Sequence, residues 1–230
     1  MLYSISENKT ASAETFTQAQ TPVKSNLPVS VTLRKQLNVK QSKHEYKVIY
    51  GCIKIDNALV LTELNKTRLI ICNADSTDIH HFPLPKNPNY ITKIDSITVA
   101  VSCYELSIQD TTILIVNIST GSVISRFSTC GDCRGISYND DNMYVVIRSM
   151  IKVMDLTGKV KRSIPLPLDD IRDISVNGDR LVCIKYTSVY CCSLDGKLIW
   201  EFENYDLQDL RRVTTDAEGM CMQLMGRQTL

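Results

Sequence analysis

Met154-Asp155-Leu156-Thr157-Gly158-Lys159-Val160 ends one apolar run, turns on a glycine and opens another, and the chain does this three times. Gly121, Gly158 and Gly196 stand 37 and 38 residues apart. A polar residue closes the run before each of them: Asn117, Asp155 and Ser193, at spacings of 38 and 38. Six residues after each glycine comes a large apolar side chain, Phe127, Ile164 or Phe202. A second register opens each unit at Ile136, Ile174 and Val213, spaced 38 and 39, and Cys52 and Ile91 open looser, earlier units.

Each unit reads as four short strands. In the third these are 135–138, 143–147, 151–154 and 160–164, separated by Asn139-Asp140-Asp141-Asn142, a corner at 148–150 and Leu156-Thr157-Gly158. Asn, Asp and Gly are the residues that tolerate the positive φ of hairpin turns. No helical periodicity competes after residue 50. An antiparallel four-stranded unit repeated near 40 residues predicts an all-β chain, a β-propeller. Its blades fall near 50–84, 90–127, 134–164 and 172–202, with a partial fifth at 212–230. Closed propellers take about four to eight blades, so the ring reads as incomplete. Either a short strand at 29–33 completes it, or the chain is a fragment that associates with itself through uncovered blade faces. Residues 1–27 are polar, lack apolar periodicity and are expected to be disordered; the propeller is expected over 28–230.

Apolar residues make up 43% of the chain and charged residues 22%, as in ordinary globular proteins. The longest apolar runs are too short to span a bilayer, and the first ten residues do not form a secretory signal. Nine cysteines are an odd number and sit mostly inside strand-like runs, which suits buried thiols in a reducing cytoplasm. The net charge of +1 divides into +4 for residues 1–50 and −3 for residues 51–230. A mildly acidic body argues against broad phosphate-backbone binding.

Leu33-Arg34-Lys35-Gln36-Leu37, Gly51-Cys52-Ile53, Arg68-Leu69-Ile70, Asn117-Ile118-Ser119-Thr120-Gly121, Met154-Asp155-Leu156-Thr157-Gly158-Lys159 and Leu210-Arg211-Arg212-Val213-Thr214-Thr215-Asp216 together resemble the C-terminal propeller of bivalve tripartite-motif-like and B-box proteins. More distantly the chain is similar to NHL-repeat propellers. The resemblance covers about residues 30–220 and implies a partner-selecting propeller. It does not carry over ligase activity, since no RING, B-box or coiled-coil pattern precedes the repeats. It also implies that the propeller continues beyond Leu230.

Arg134, Arg172 and Arg211 each stand two residues before an innermost strand opens, 38 and 39 apart. They could form a partial ring of guanidinium groups gripping carboxylates, or pair with loop acids such as Asp132, Asp170 and Asp209 and tie blades together. The second unit is about seven residues longer than the third around Tyr104–Thr111, 26 against 19 from opening to pre-turn residue. That insertion lies on the same face as the loops between blades, and longer loops are where repeat proteins place recognition. Tyr104, Glu105, Gln109, Arg134, Arg172 and Arg211 are therefore the expected partner-binding residues. Cys130-Gly131-Asp132-Cys133 has no second ligand pair and no following helix, so neither zinc nor redox chemistry is assigned to it. A lactonase-type propeller would converge acids on its channel, but Asp95, Asp173 and Asp216 share no register. No cofactor, metal or catalytic residue is expected, and the chain reads as a protein-binding module rather than an enzyme. Single-stranded RNA is the alternative partner; it requires a basic face with stacking aromatics.

Overall fold

A computed structural model describes residues 2–4, 49–73, 77–105, 108–166, 169–203, 205, 210–215 and 221–225. They form nineteen strands. The first is β1 (Leu2–Ser4). The first blade holds β2 (Ile49–Ile55), β3 (Ala58–Glu63), β4 (Arg68–Asn73) and β5 (His80–Pro83). The second holds β6 (Asn87–Lys93), β7 (Thr98–Glu105), β8 (Ile108–Asn117) and β9 (Ser122–Thr129). The third holds β10 (Cys133–Asn139), β11 (Asn142–Ile147), β12 (Met150–Met154) and β13 (Val160–Pro165). The fourth holds β14 (Asp173–Asn177), β15 (Arg180–Ile184), β16 (Ser188–Ser193) and β17 (Leu198–Glu203). The expected four antiparallel blades of a β-propeller are thus present. A fifth sheet runs β1-β19-β18, with β18 (Leu210–Thr215) innermost and β19 (Cys221–Met225) in the middle. Its third strand is β1, paired antiparallel with β19 from Leu2↔Leu224 to Ser4↔Met222.

The rest of the polar segment 1–27 and the strand expected at 29–33 lie outside the described residues. Among the described residues no helix is long and apolar enough to cross a membrane.

The core is a series of layers between blades. Val60 and Leu69 of the first blade pack on Val99 and Leu114 of the second. Ile113 and Ile115 pack on Ile136, Met143 and Val145 of the third. Ile151 and Ile164 pack on Ile174, Leu181 and Cys183 of the fourth. Val182, Val189 and Cys191 pack on Leu210 and Val213 of the fifth sheet. Middle strands such as β11 and β16 bury both faces, so near-continuous apolar runs such as Met143–Ile147 replace strict alternation.

Polar residues before the turns act as caps. Asp155 Oδ1 accepts from the backbone N–H groups of Thr157 at 2.9 Å and Lys159 at 3.1 Å. Asn117 Oδ1 accepts from those of Ser119 at 2.9 Å and Thr120 at 3.0 Å. The turn glycines serve packing as well as backbone shape. Gly158 has φ +87, and a Cβ there would lie 2.6 Å from Phe127 of the preceding blade. Gly196 has φ +87, and its Cβ would lie 2.7 Å from the carbonyl oxygen of Pro165. Gly196→Ala is expected to lower stability by about 2–3 kcal/mol, combining left-handed strain with overpacking against backbone. Gly178→Ala, at φ +57 with nothing within 4 Å, should cost only the strain, about 1 kcal/mol. Urea midpoints of the two variants check this; equal losses would show that the Gly196 contact contributes nothing.

Candidate functional site

Innermost strands β2, β6, β10, β14 and β18 surround a central cavity of about 750 Å³. Neighbouring inner strands are stitched by side-chain hydroxyls. The Tyr138 N–H donates to Thr92 Oγ1 at 3.2 Å, that of Val176 to Ser137 Oγ at 2.9 Å, and that of Thr215 to Ser175 Oγ at 3.1 Å. A small hydroxyl at this register satisfies the next strand's backbone while leaving room for the channel.

One layer of the channel is different. It consists of the residues immediately before the unit openings: Gly51, Tyr90, Gly135, Asp173 and Arg212. At Gly135 the missing side chain leaves room for Asp173. A Cβ on Gly135 would lie 3.0 Å from Asp173 Oδ1. Arg212 reaches across from the fifth sheet to the first two blades. Its Nε donates to the Tyr50 carbonyl at 2.7 Å and its Nη2 to Asn89 Oδ1 at 2.7 Å. The guanidinium lies 3.9 Å from the centre of the Tyr90 ring, a cation–π contact. Tyr90 Oη in turn donates to the carbonyl of Arg172 at 2.9 Å, joining the second blade to the fourth. Asp173 is 5% exposed and accepts from the Val213 N–H at 3.1 Å. Burial pushes its carboxyl up to about 7, opposed by Arg212 and by backbone N–H groups.

In an antiparallel blade the links between blades and the hairpins joining second to third strands emerge on one face. Arg134, Arg172 and Arg211 all lie there. Arg134 follows the blade-tying alternative: its Nη1 is 3.2 Å from Asp170 Oδ1 and its Nε 3.5 Å from Asp132 Oδ2. The Arg172 guanidinium lies 3.6 Å over the ring of Tyr186, which is 49% exposed. Arg211 is half-buried and its carbonyl accepts from Arg212 Nη1 at 3.0 Å. Tyr205, 72% exposed, stands on the connection leading from β17 to this same face. Tyr104 is half-buried at the end of β7. The insertion at Tyr104–Thr111 is an extended hairpin more than a loop, since pairing continues to Glu105↔Ile108. The side chains of Glu105 and Gln109 lie outside the described residues.

Asp95 is not a channel residue. It sits in the turn after β6 and caps it, accepting from the Ile97 N–H at 2.8 Å. Asp216 lies outside the described residues. Cys130 is exposed and Cys133 buried, and burial pushes the Cys133 thiol up to about 12. Among the described residues no three His, Cys, Asp or Glu side chains are grouped to hold a metal. Arg212 and Tyr90 escaped the sequence reading, although both stand in the register position preceding Val213 and Ile91.

No protein-family model matches the sequence, and no curated protein matches it. Solved structures do. The chain is similar to the glutaminyl cyclase of Myxococcus xanthus, at 8% identity and TM-score 0.59, over 76% of this chain and 88% of that one. It is similar to a chain of a nidogen/laminin complex, at 14% identity and TM-score 0.58, over 74% and 66%. It is similar to streptogramin B lyase, at 18% identity and TM-score 0.55, over 76% and 64%. The chain thus spans just under two thirds of the last two. At these identities the likeness shows the β-propeller fold alone.

The expectation that this is not an enzyme is corrected by the same comparison. A cyclase and a lyase share the fold, so neither the repeat nor the absence of a contiguous motif excludes catalysis. Propellers bring side chains together from separate inner strands, an arrangement that leaves no short motif in sequence.

Proposed function

We propose that the chain is a protein-interaction propeller, which binds its partner on the face bearing the links between blades. The observation that carries this is the Arg172–Tyr186 stack at 3.6 Å on that face, where Tyr186 is 49% and Tyr205 72% exposed. Tyrosine and arginine are the side chains enriched at the energetic centres of interfaces. A stacked guanidinium has less freedom to lose on binding. Arg134, Arg211 and Tyr104 extend the same surface, with Glu105 and Gln109 at the hairpin tip beside it. The reading places the chain in the cytoplasm, as the recognition part of a tripartite-motif-like protein; the likeness to a propeller crystallised in a nidogen/laminin complex supports the use of this fold for protein binding.

The test compares capture of cellular partners by the full chain, by Arg172→Ala/Tyr186→Ala, and by Asp179→Ala on the opposite face. A direct partner recovered with the full chain should bind the double variant more weakly by about 2 kcal/mol, roughly 30-fold, and the Asp179→Ala chain normally. A partner indifferent to the double variant would move the site elsewhere. Tight, salt-sensitive binding of a single-stranded RNA oligonucleotide, lost in the double variant, would replace the protein reading with RNA.

A further inference from the structure

The central channel has unlike ends. Near the face of the links two side chains cross it. Tyr90 Oη of the second blade donates to the Arg172 carbonyl of the fourth, and Arg212 of the fifth sheet reaches the Tyr50 carbonyl and Asn89. At the opposite end the wall finishes in the exposed residues Lys54, Lys93 and Asp140. Between the two ends lies the cavity of about 750 Å³, a size that encloses small organic molecules.

The chemistry of the wall changes layer by layer. Arg212 and Asp173 stand at the crossed end. Cys52, Ile91, Ile136, Ile174 and Val213 follow as an apolar collar. Beyond the hydroxyls that stitch the strands come Lys54 and Lys93, at one register position on neighbouring blades. They lie three residues past Gly51 and Tyr90, about 10 Å at the rise of a strand, and their flexible arms shorten that gap. Lys93 Nζ is 3.9 Å from Asp56 Oδ1, an exposed pair that water screens. The acceptors that hold Arg212 are two carbonyls and an amide oxygen, all neutral. Its Nη1 and Nη2 each give one hydrogen to them and carry a second. Burial holds the Asp173 carboxyl up to about 7, so below neutrality it stands near Arg212 as a hydrogen-bond donor rather than as a counter-ion. A guanidinium anchored on a ring, with a carboxyl that can donate nearby, suits an incoming carboxylate.

We propose that the channel binds a small organic dicarboxylate, which enters from the face opposite the links. One carboxylate sits on Arg212, the apolar chain lies in the collar, and the other carboxylate sits between Lys54 and Lys93. This site is distinct from the partner face, since the crossing side chains Tyr90 and Arg212 stand between the two.

Cys52 and Cys130 are both exposed, Cys52 on the channel wall and Cys130 on a link between blades. Alkylation of the full chain by N-ethylmaleimide, read site by site by mass spectrometry, therefore reports occupancy with an internal control. Adipate should bind with a dissociation constant of about 1 mM or tighter. It should slow alkylation of Cys52 several-fold and leave Cys130 unchanged. Hexanoate should protect less, and the neutral adipamide not at all. Lys54→Gln/Lys93→Gln changes only exposed positions; it should weaken adipate several-fold and bring it level with hexanoate. Arg212→Lys, which loses the planar fork, should weaken both acids. Absence of protection by adipate, equal protection by adipamide, or adipate binding indifferent to the lysine pair would overturn the proposal. Equal protection by inorganic phosphate would reduce it to a general anion effect, and slowing of Cys130 alongside Cys52 to a change in the whole fold; either overturns it as well.

Discussion

Arg212→Ala is expected to lower the unfolding free energy by about 3 kcal/mol, close to 10 °C in melting temperature for a chain of this size. The loss has three parts. The Tyr50 carbonyl and the Asn89 side chain lose a charged donor, each at 2.7 Å. The Tyr90 ring loses its cation at 3.9 Å. Asp173 loses the positive charge that opposes its burial. Arg212→Lys keeps the charge but not the planar fork, so it should recover only part of the loss. Because one component acts through the charged form of Asp173, the loss should be smaller at pH 5 than at pH 8. Urea titrations of the two variants at both values measure this. A change within about 0.5 kcal/mol at both would show that the connection from the fifth sheet to the first blade adds no stability.

The blades were legible in the sequence because they rest on local chemistry. Turn residues such as Asp155 and Gly158 recur at fixed spacing, and apolar runs as short as Met143–Ile147 have room only for strands. The opening positions Cys52, Ile91, Ile136 and Ile174 all lie on inner strands. What the spacing concealed lies across the channel. Gly51, Tyr90, Gly135, Asp173 and Arg212 share one register position, yet five different chemical roles leave no repeating residue type to notice. Arg134, Arg172 and Arg211 were conspicuous because their residue type repeats, while their surroundings diverge: an acid pair, an aromatic face and a half-buried site beside Arg212. The irregular pairing at Leu210/Arg212 and at Cys133/Ile136 belongs to the same difficulty. A bulge re-aims one side chain relative to its neighbours, and sequence counting cannot tell Arg211 from Arg212. Asp173 has no acidic counterpart in register, so the sequence assigns it no catalytic role. Its partner proved to be a cation one blade away.

Asp173 should make the protein less stable as pH rises toward neutrality, the reverse of an ordinary paired carboxylate. Its carboxyl is raised by burial from 3.8 to about 7 in the folded chain. Between those values the folded state holds a proton that the unfolded state has released. The associated stability is therefore complete below about pH 4, declines through pH 4–7, and is gone above pH 7. Three pH units at about 1.4 kcal/mol each give a change of roughly 4 kcal/mol. Neighbouring groups do not titrate in this window: burial holds both Tyr90 and Cys133 up near 12. Asp173→Asn preserves an oxygen for the Val213 N–H and removes the titration. The variant and the natural chain should have nearly equal stability at pH 4, and the variant should lead increasingly up to pH 8. Chemical denaturation at four pH values measures the difference between the two curves, which cancels the contribution of every other carboxylate. A variant less stable than the natural chain at pH 8 would mean that Arg212 outweighs burial and holds Asp173 as the anion. The channel layer would then be a buried ion pair, and the pH dependence of the natural chain would slope the other way.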